Sequence, residues 1–119
     1  MQKLRTILLA SAGALTLTLA GCAAAEPIEL TSDTILIDVR TAGEFAAGHL
    51  DGAVNLDVSS GQLAAQVSEL DDDFEYVVYC KSGNRSSQAA RMLEEAGLDV
   101  TDAGSMQEAA DATGVQIVP

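Results

Sequence analysis

The chain has 119 residues, with six basic and eighteen acidic side chains and a formal net charge of −12 at pH 7. A surface this acidic, with no basic stripe, excludes nucleic acid and anionic lipid headgroups as charge-matched partners. The length suits a single domain near the size where core area becomes limiting.

The first twenty-one residues read as an export signal. Lys3 and Arg5 form a basic head, and Ile7 to Ala20 is apolar or small and uncharged. A basic head, an apolar run of about 7–15 residues and small residues at a cut site mark such signals. The run falls short of the roughly 20 residues a membrane span needs. Leu19-Ala20-Gly21-Cys22 resembles the lipobox of bacterial lipoproteins. Cleavage before Cys22 and lipidation of its thiol are therefore expected, with residues 22–27 as a tether and 28–118 as the domain. Multiple acyl chains anchor stably where one binds only marginally. The expected location is the cell envelope, periplasmic or on the outer face of the cytoplasmic membrane, with the lipid as the only membrane contact and the protein a monomer. Loss of Lys3 and Arg5 leaves four basic against eighteen acidic residues, a net charge of −14.

Beyond the tether, Thr34-Ile35-Leu36-Ile37-Asp38-Val39 is nearly continuous and β-branched, the pattern of a strand buried on both faces. Thr41 and Glu44 have capping-box spacing and open a short helix through Ala47, which Gly48 ends. Gly52 to Leu56 predicts a second short strand. Ser59 or Ser60 is placed to cap a helix from Gln62 to Leu70, with Leu63, Val67 and Leu70 on one stripe. Asp71-Asp72-Asp73 reads as a solvated turn and not a metal site. Tyr76 to Tyr79 predicts the third strand. A helix follows from Arg85 or Ser86, with Ala89, Met92, Leu93 and Ala96 at helical spacing and Gly97 as its stop. Leu98 to Thr101 predicts a further strand, Met106 to Ala110 a weaker helix, and Val115 to Pro119 carries little pattern. Strands alternating with helices imply an α/β domain of three layers, a mostly parallel central sheet flanked by helices.

This frame puts Cys80 at the carboxyl end of a parallel strand, where the chain turns into the amino terminus of a helix. Open α/β sheets bind ligands there. With Cys22 lipidated, Cys80 has no cysteine partner in the chain, and with His49 as the only histidine it cannot complete a structural zinc site. It is either an inert buried thiol or a reactive one. The helix dipole places roughly +0.5 of a charge beside it. Gly83 lets the loop aim its amides at a common centre, an anion-binding nest. Lys81 and Arg85 add full charges. Such surroundings lower a thiol pKa from about 8.5 to about 3.5–7.5. The loop suits a nucleophilic sulfur with an anion beside it.

Cys80-Lys81-Ser82-Gly83-Asn84-Arg85-Ser86 resembles the active-site loop of the rhodanese family, the single-domain sulfurtransferases. Asp38-Val39-Arg40, Glu44-Phe45 and Gly48-His49-Leu50-Asp51-Gly52-Ala53-Val54-Asn55 resemble that family's amino-terminal motif. The resemblance implies a parallel sheet flanked by helices. It also implies that Cys80 attacks the outer sulfur of a donor such as thiosulfate, and that a thiol or cyanide then takes the sulfur from the persulfide. The loop from Lys81 through Ser82, Gly83, Asn84 and Arg85 to Ser86 would bind substrate, together with Arg40, and no metal or organic cofactor is needed. Arg40 is placed where it could pair with Glu44 and also face the site; Asp38 and Glu44 are expected to be structural, and His49 to have no catalytic part. Asp102-Ala103-Gly104-Ser105-Met106 departs from the family, where a double glycine, a leucine and a tryptophan are common. Two other classes share elements of this pattern. Phosphatases and arsenate reductases of related fold carry Cys-x5-Arg, whereas Cys80 to Arg85 is Cys-x4-Arg. A redox sensor or persulfide carrier would hold sulfur on Cys80 without turnover.

Overall fold

The computed structural model describes residues 26–119. The expected signal segment and Cys22 lie outside the described residues. The chain runs β1 (Thr34–Asp38), α1 (Ala42–Ala47), β2 (His49–Leu50), β3 (Val54–Asn55), α2 (Gln62–Gln66), β4 (Glu75–Cys80), α3 (Asn84–Glu95), β5 (Asp99–Ser105), α4 (Met106–Thr113) and β6 (Ile117–Val118). Four strands form one parallel sheet in the order β3-β1-β4-β5.

Side chains alternate across a strand, and β4 uses both faces. Tyr76, Val78 and Cys80 join Ile37, Val39, Leu63 of α2, and Ala89 and Leu93 of α3 in one apolar cluster. Val77 and Tyr79 join Leu36, Leu50 and Ala109 of α4 in the other. The continuous apolar run of β1 and β4 follows from this burial on both faces. The result is the α/β fold expected from the sequence, and it aims the Cys80 thiol at the α3 side.

The capping box of Thr41 and Glu44 is present at the start of α1. Other boundaries differ from the sequence expectation. The second strand spans only Val54–Asn55, paired with Ile37 and Asp38. Helix α2 is capped by Gly61 in the left-handed region, not by a serine. The amide of Ser59 instead donates to the Asp57 carboxylate at 2.8 Å. After Gln66 the helix tightens into a 3-10 turn at Val67–Glu69. β5 runs on to Ser105, which with Glu108 forms a second capping box for α4. The tail pairs antiparallel with β2, His49 opposite Val118 and Leu50 opposite Ile117. Asp71, Asp72 and Asp73 are exposed. The Asp71 carboxylate accepts from the Asp73 amide at 2.9 Å, a local turn contact.

A charged network closes the carboxyl end of β1. The Arg40 guanidinium donates to Asp38 through Nη2 at 2.6 Å and Nε at 3.0 Å, and Nη2 also reaches the Gly48 carbonyl at 2.6 Å. Asn55 donates to the carbonyls of Asp38 and Arg40 at 3.0 and 2.9 Å. The Tyr79 hydroxyl accepts from the Leu50 amide at 3.0 Å. Asp38 and Arg40 are buried, and buried charges persist only when paired in this way.

Candidate active site

Cys80 is the last residue of β4, and its side chain is wholly buried at the floor of the loop that leads into α3. Gly83 caps α3 with φ 97°, a conformation that costs glycine little and other residues much. An added Cβ there would make only an ordinary contact, 3.8 Å from the Gly104 Cα, so the backbone conformation is what calls for glycine. This turn swings the Gly83 amide back to donate to the Cys80 sulfur at 2.9 Å.

Ser86 completes the floor. Its hydroxyl donates to the Gly83 carbonyl at 3.0 Å and lies 3.5 Å from the thiol, which donates to it. One turn about the Ser86 Cβ–Oγ bond would redirect that proton to a thiolate. Burial is the largest single influence on the thiol and pushes its pKa up. The Ser86 hydroxyl and the amides of Ser86, Gly83 and Ser82 together outweigh it, so the pKa is lowered from its ordinary value. Donors gathered on the charged form have this effect.

Arg85 lies over the loop but does not stand alone. Its two terminal nitrogens donate to the two oxygens of Glu44 at 2.7 and 3.0 Å, a bidentate pair. The Arg85 side chain is 26 % exposed and that of Glu44 29 %, so the pair sits at the rim. Glu44 also accepts from the Thr41 amide at 3.3 Å and the Thr41 hydroxyl at 3.1 Å. The Arg85 bond holds the Glu44 carboxyl down at about 2 against the opposing effect of burial. Arg85 is raised in turn, by Glu44 first and then by the nearby charges of Cys80 and Asp57.

Of the loop residues, Ser82, Gly83 and Ser86 make hydrogen bonds to Cys80, and Arg85 lies near enough to feel its charge. Lys81, Ser82 and Asn84 are exposed. Arg40 does not pair with Glu44: Asp38, two residues before it, takes its guanidinium, and Glu44 is left for Arg85. His49 stacks on Phe45 with ring centroids 3.8 Å apart and its Nδ1 contacts the Phe45 carbonyl at 2.8 Å, a tie between α1 and β2. Two residues of the site went unrecognised in the sequence, Glu44 as the partner of Arg85 and Asp57 as its neighbour. No local pattern encodes contacts between positions so far apart. A groove of about 590 Å³ lies elsewhere, lined by Glu26, Glu29, Glu75, Asp99, Asp102 and Glu108 among others. Its lining is acidic and contains no cysteine.

A buried cysteine under an amide-lined strand-to-helix turn, on a parallel sheet flanked by helices, defines a single-domain cysteine-loop α/β protein. The Rhodanese-like domain family model matches residues 23–108, and the chain belongs to that family. The match ends within α4, short of β6.

Among curated relatives, the putative sulfurtransferase YtwF of Bacillus subtilis is 39 % identical over 72 residues, 60 % of this chain and 68 % of that protein. A sulfurtransferase of Allochromatium vinosum is 37 % identical over 67 residues, 56 % of this chain and 61 % of its own. Thiosulfate sulfurtransferase GlpE of Shewanella oneidensis is 39 % identical over 64 residues, 54 % of this chain and 61 % of its own. The chain thus spans between three fifths and two thirds, or slightly more, of these relatives. A solved structure described as rhodanese with anions from E. coli superposes with TM-score 0.61 at 26 % identity, covering 71 % of this chain and 96 % of that one.

Proposed function

We propose that the chain is a sulfurtransferase that carries sulfane sulfur as a persulfide on Cys80, from an anionic, thiosulfate-like donor to a thiophilic acceptor such as a thiol or cyanide. The observation that carries this reading is the Cys80 sulfur held by the Gly83 amide at 2.9 Å within a ring of further donors. The family membership and the sulfurtransferases among the relatives support it.

The thiolate attacks the outer sulfur of the donor. The Sγ–S bond forms as the donor S–S bond breaks, and the electron pair of that bond leaves with sulfite when thiosulfate is the donor. The amides of Lys81 to Ser86 hold the negative charge of the new persulfide, a preorganised arrangement that needs no reorientation during reaction. The acceptor then attacks the outer sulfur and restores the thiolate. Lys81 supplies positive potential at the rim, Arg85 does so only as far as its pair with Glu44 allows, and Arg40 braces the floor through Asp38. No step calls for a metal or organic cofactor. Since the thiol is fully enclosed, the loop or its neighbours must part slightly to admit the donor's terminal sulfur.

Four residues between Cys80 and Arg85 make a tighter amide ring than five. Such a ring fits one added sulfur better than a tetrahedral phosphate with three equatorial oxygens. Purified protein given thiosulfate and cyanide should release thiocyanate catalytically, and should leave an aryl phosphate intact. Turnover of the phosphate without thiocyanate release would move the chain to the phosphatase class.

Export with a lipidated Cys22 is part of the same proposal, supported by the basic head, apolar run and Leu19-Ala20-Gly21-Cys22. Cys22→Ala should abolish lipid labelling and release the protein from the membrane fraction. Wild-type protein found soluble with an unmodified thiol at Cys22 would contradict it.

A further inference from the structure

Building on the persulfide reading above, we propose that Glu44 is a specificity-determining residue that sorts sulfur donors by charge, favouring hydropersulfides with at most one negative charge over dianionic thiosulfate. Arg85, which feels the charge of Cys80, and Arg40 are both already engaged. Arg40 is buried against Asp38 and Gly48. Arg85 gives both terminal nitrogens to Glu44. Glu44 cannot simply follow Arg85 toward a donor, because the Thr41 amide and hydroxyl tie its carboxylate to the start of α1. Asp57 adds a second negative charge near Arg85.

A donor at the amide nest therefore meets Arg85 as one half of a neutral pair. The Glu44 carboxylate repels a dianion about twice as strongly as a monoanion at the same distance, since the Coulomb energy scales with the product of charges. The acidic surface of the whole chain acts in the same direction. Thiosulfate also expels sulfite, a dianion whose departing charge an unpaired guanidinium would stabilise. A hydropersulfide makes less demand. The Cys80 thiolate attacks the outer sulfur of R–S–SH, the Sγ–S bond forms, and the donor S–S bond breaks. Its electron pair leaves on the inner sulfur, which takes up the proton released by the new persulfide. The products are the Cys80 persulfide anion and the thiol R–SH, with no outside oxidant or reductant.

The test follows the rate at which Cys80 gains one sulfur, read by intact mass, with thiosulfate and with the hydropersulfide of 2-mercaptoethanol as donors. Glu44→Gln removes the charge and keeps the capping box, which glutamine also closes. Wild-type protein should prefer the hydropersulfide by about tenfold or more, and Glu44→Gln should raise the thiosulfate rate about tenfold, so that the preference collapses. That gain should shrink clearly when Arg85→Gln is added, since the released guanidinium carries part of it and the lost carboxylate repulsion the rest. A thiosulfate rate that is unchanged or lowered in Glu44→Gln overturns the assignment, as does a gain left undiminished by loss of Arg85. Failure of wild-type protein to take sulfur from either donor would instead overturn the sulfurtransferase reading, and the role of Glu44 with it.

Discussion

Cys80→Ser should abolish sulfur transfer and leave the fold intact. Oxygen replaces sulfur with little change of shape, and the Gly83 amide and Ser86 hydroxyl remain to satisfy it. The chemistry does not survive the exchange. A serine hydroxyl needs an adjacent general base to act as a nucleophile at neutral pH. His49 is the only histidine, and it is spent on Phe45. The expected loss is roughly 10³-fold or more in thiocyanate release, in keeping with removal of a covalent nucleophile. Stability should move by no more than about 1 kcal/mol in urea denaturation. Substantial activity in a well-folded Cys80→Ser protein would mean that sulfur travels by another route.

Asp38→Ala has the second large effect, on stability. Asp38 is fully enclosed and takes two nitrogens of the Arg40 guanidinium and the Arg40 amide. Its removal leaves Arg40 buried with the Gly48 carbonyl as its remaining bond. Breaking a buried pair from one side costs about 3–5 kcal/mol because the other charge stays behind uncompensated. That is a large share of the roughly 5–15 kcal/mol by which domains are stable. Replacing Asp38 and Arg40 together by apolar residues of similar volume should recover part of the loss, since neither charge is then stranded. Urea midpoints for the single and double variants decide this. A single-variant loss below about 1 kcal/mol would show that Arg40 finds water or another partner.

The sequence revealed most where the signal was local. β1 and β4 were legible because burial on both faces writes a continuous apolar run. The Cys80 loop was legible because strand, cysteine, glycine and helix are contiguous, so one stretch contains thiol, turn and amides. The Thr41 box was visible at its fixed spacing. The Ser105 box has the same Ser-x-x-Glu spacing and went unread because α4 lacks a strong apolar stripe to follow it. β2 and β6 have two residues each, too few to show a period.

Long-range polar pairing was the least legible feature. Arg40, Glu44, Asp38 and Arg85 offer several plausible pairings in one dimension. The fold settles them by distance: Asp38 and Arg40 meet at the end of β1, while α1 carries Glu44 across to Arg85, 41 residues on. The consequence is electrostatic, because it decides which carboxylate neutralises the Arg85 guanidinium at the rim above Cys80.

The most direct measurement is the intact mass of the protein after incubation with a sulfane sulfur donor, first the hydropersulfide of 2-mercaptoethanol and then thiosulfate, with the adduct mapped by peptide. The account predicts a gain of one sulfur atom, located on Cys80, removed by cyanide and absent from Cys80→Ser. No gain from either donor, or an added sulfur mapped to another residue, would contradict it.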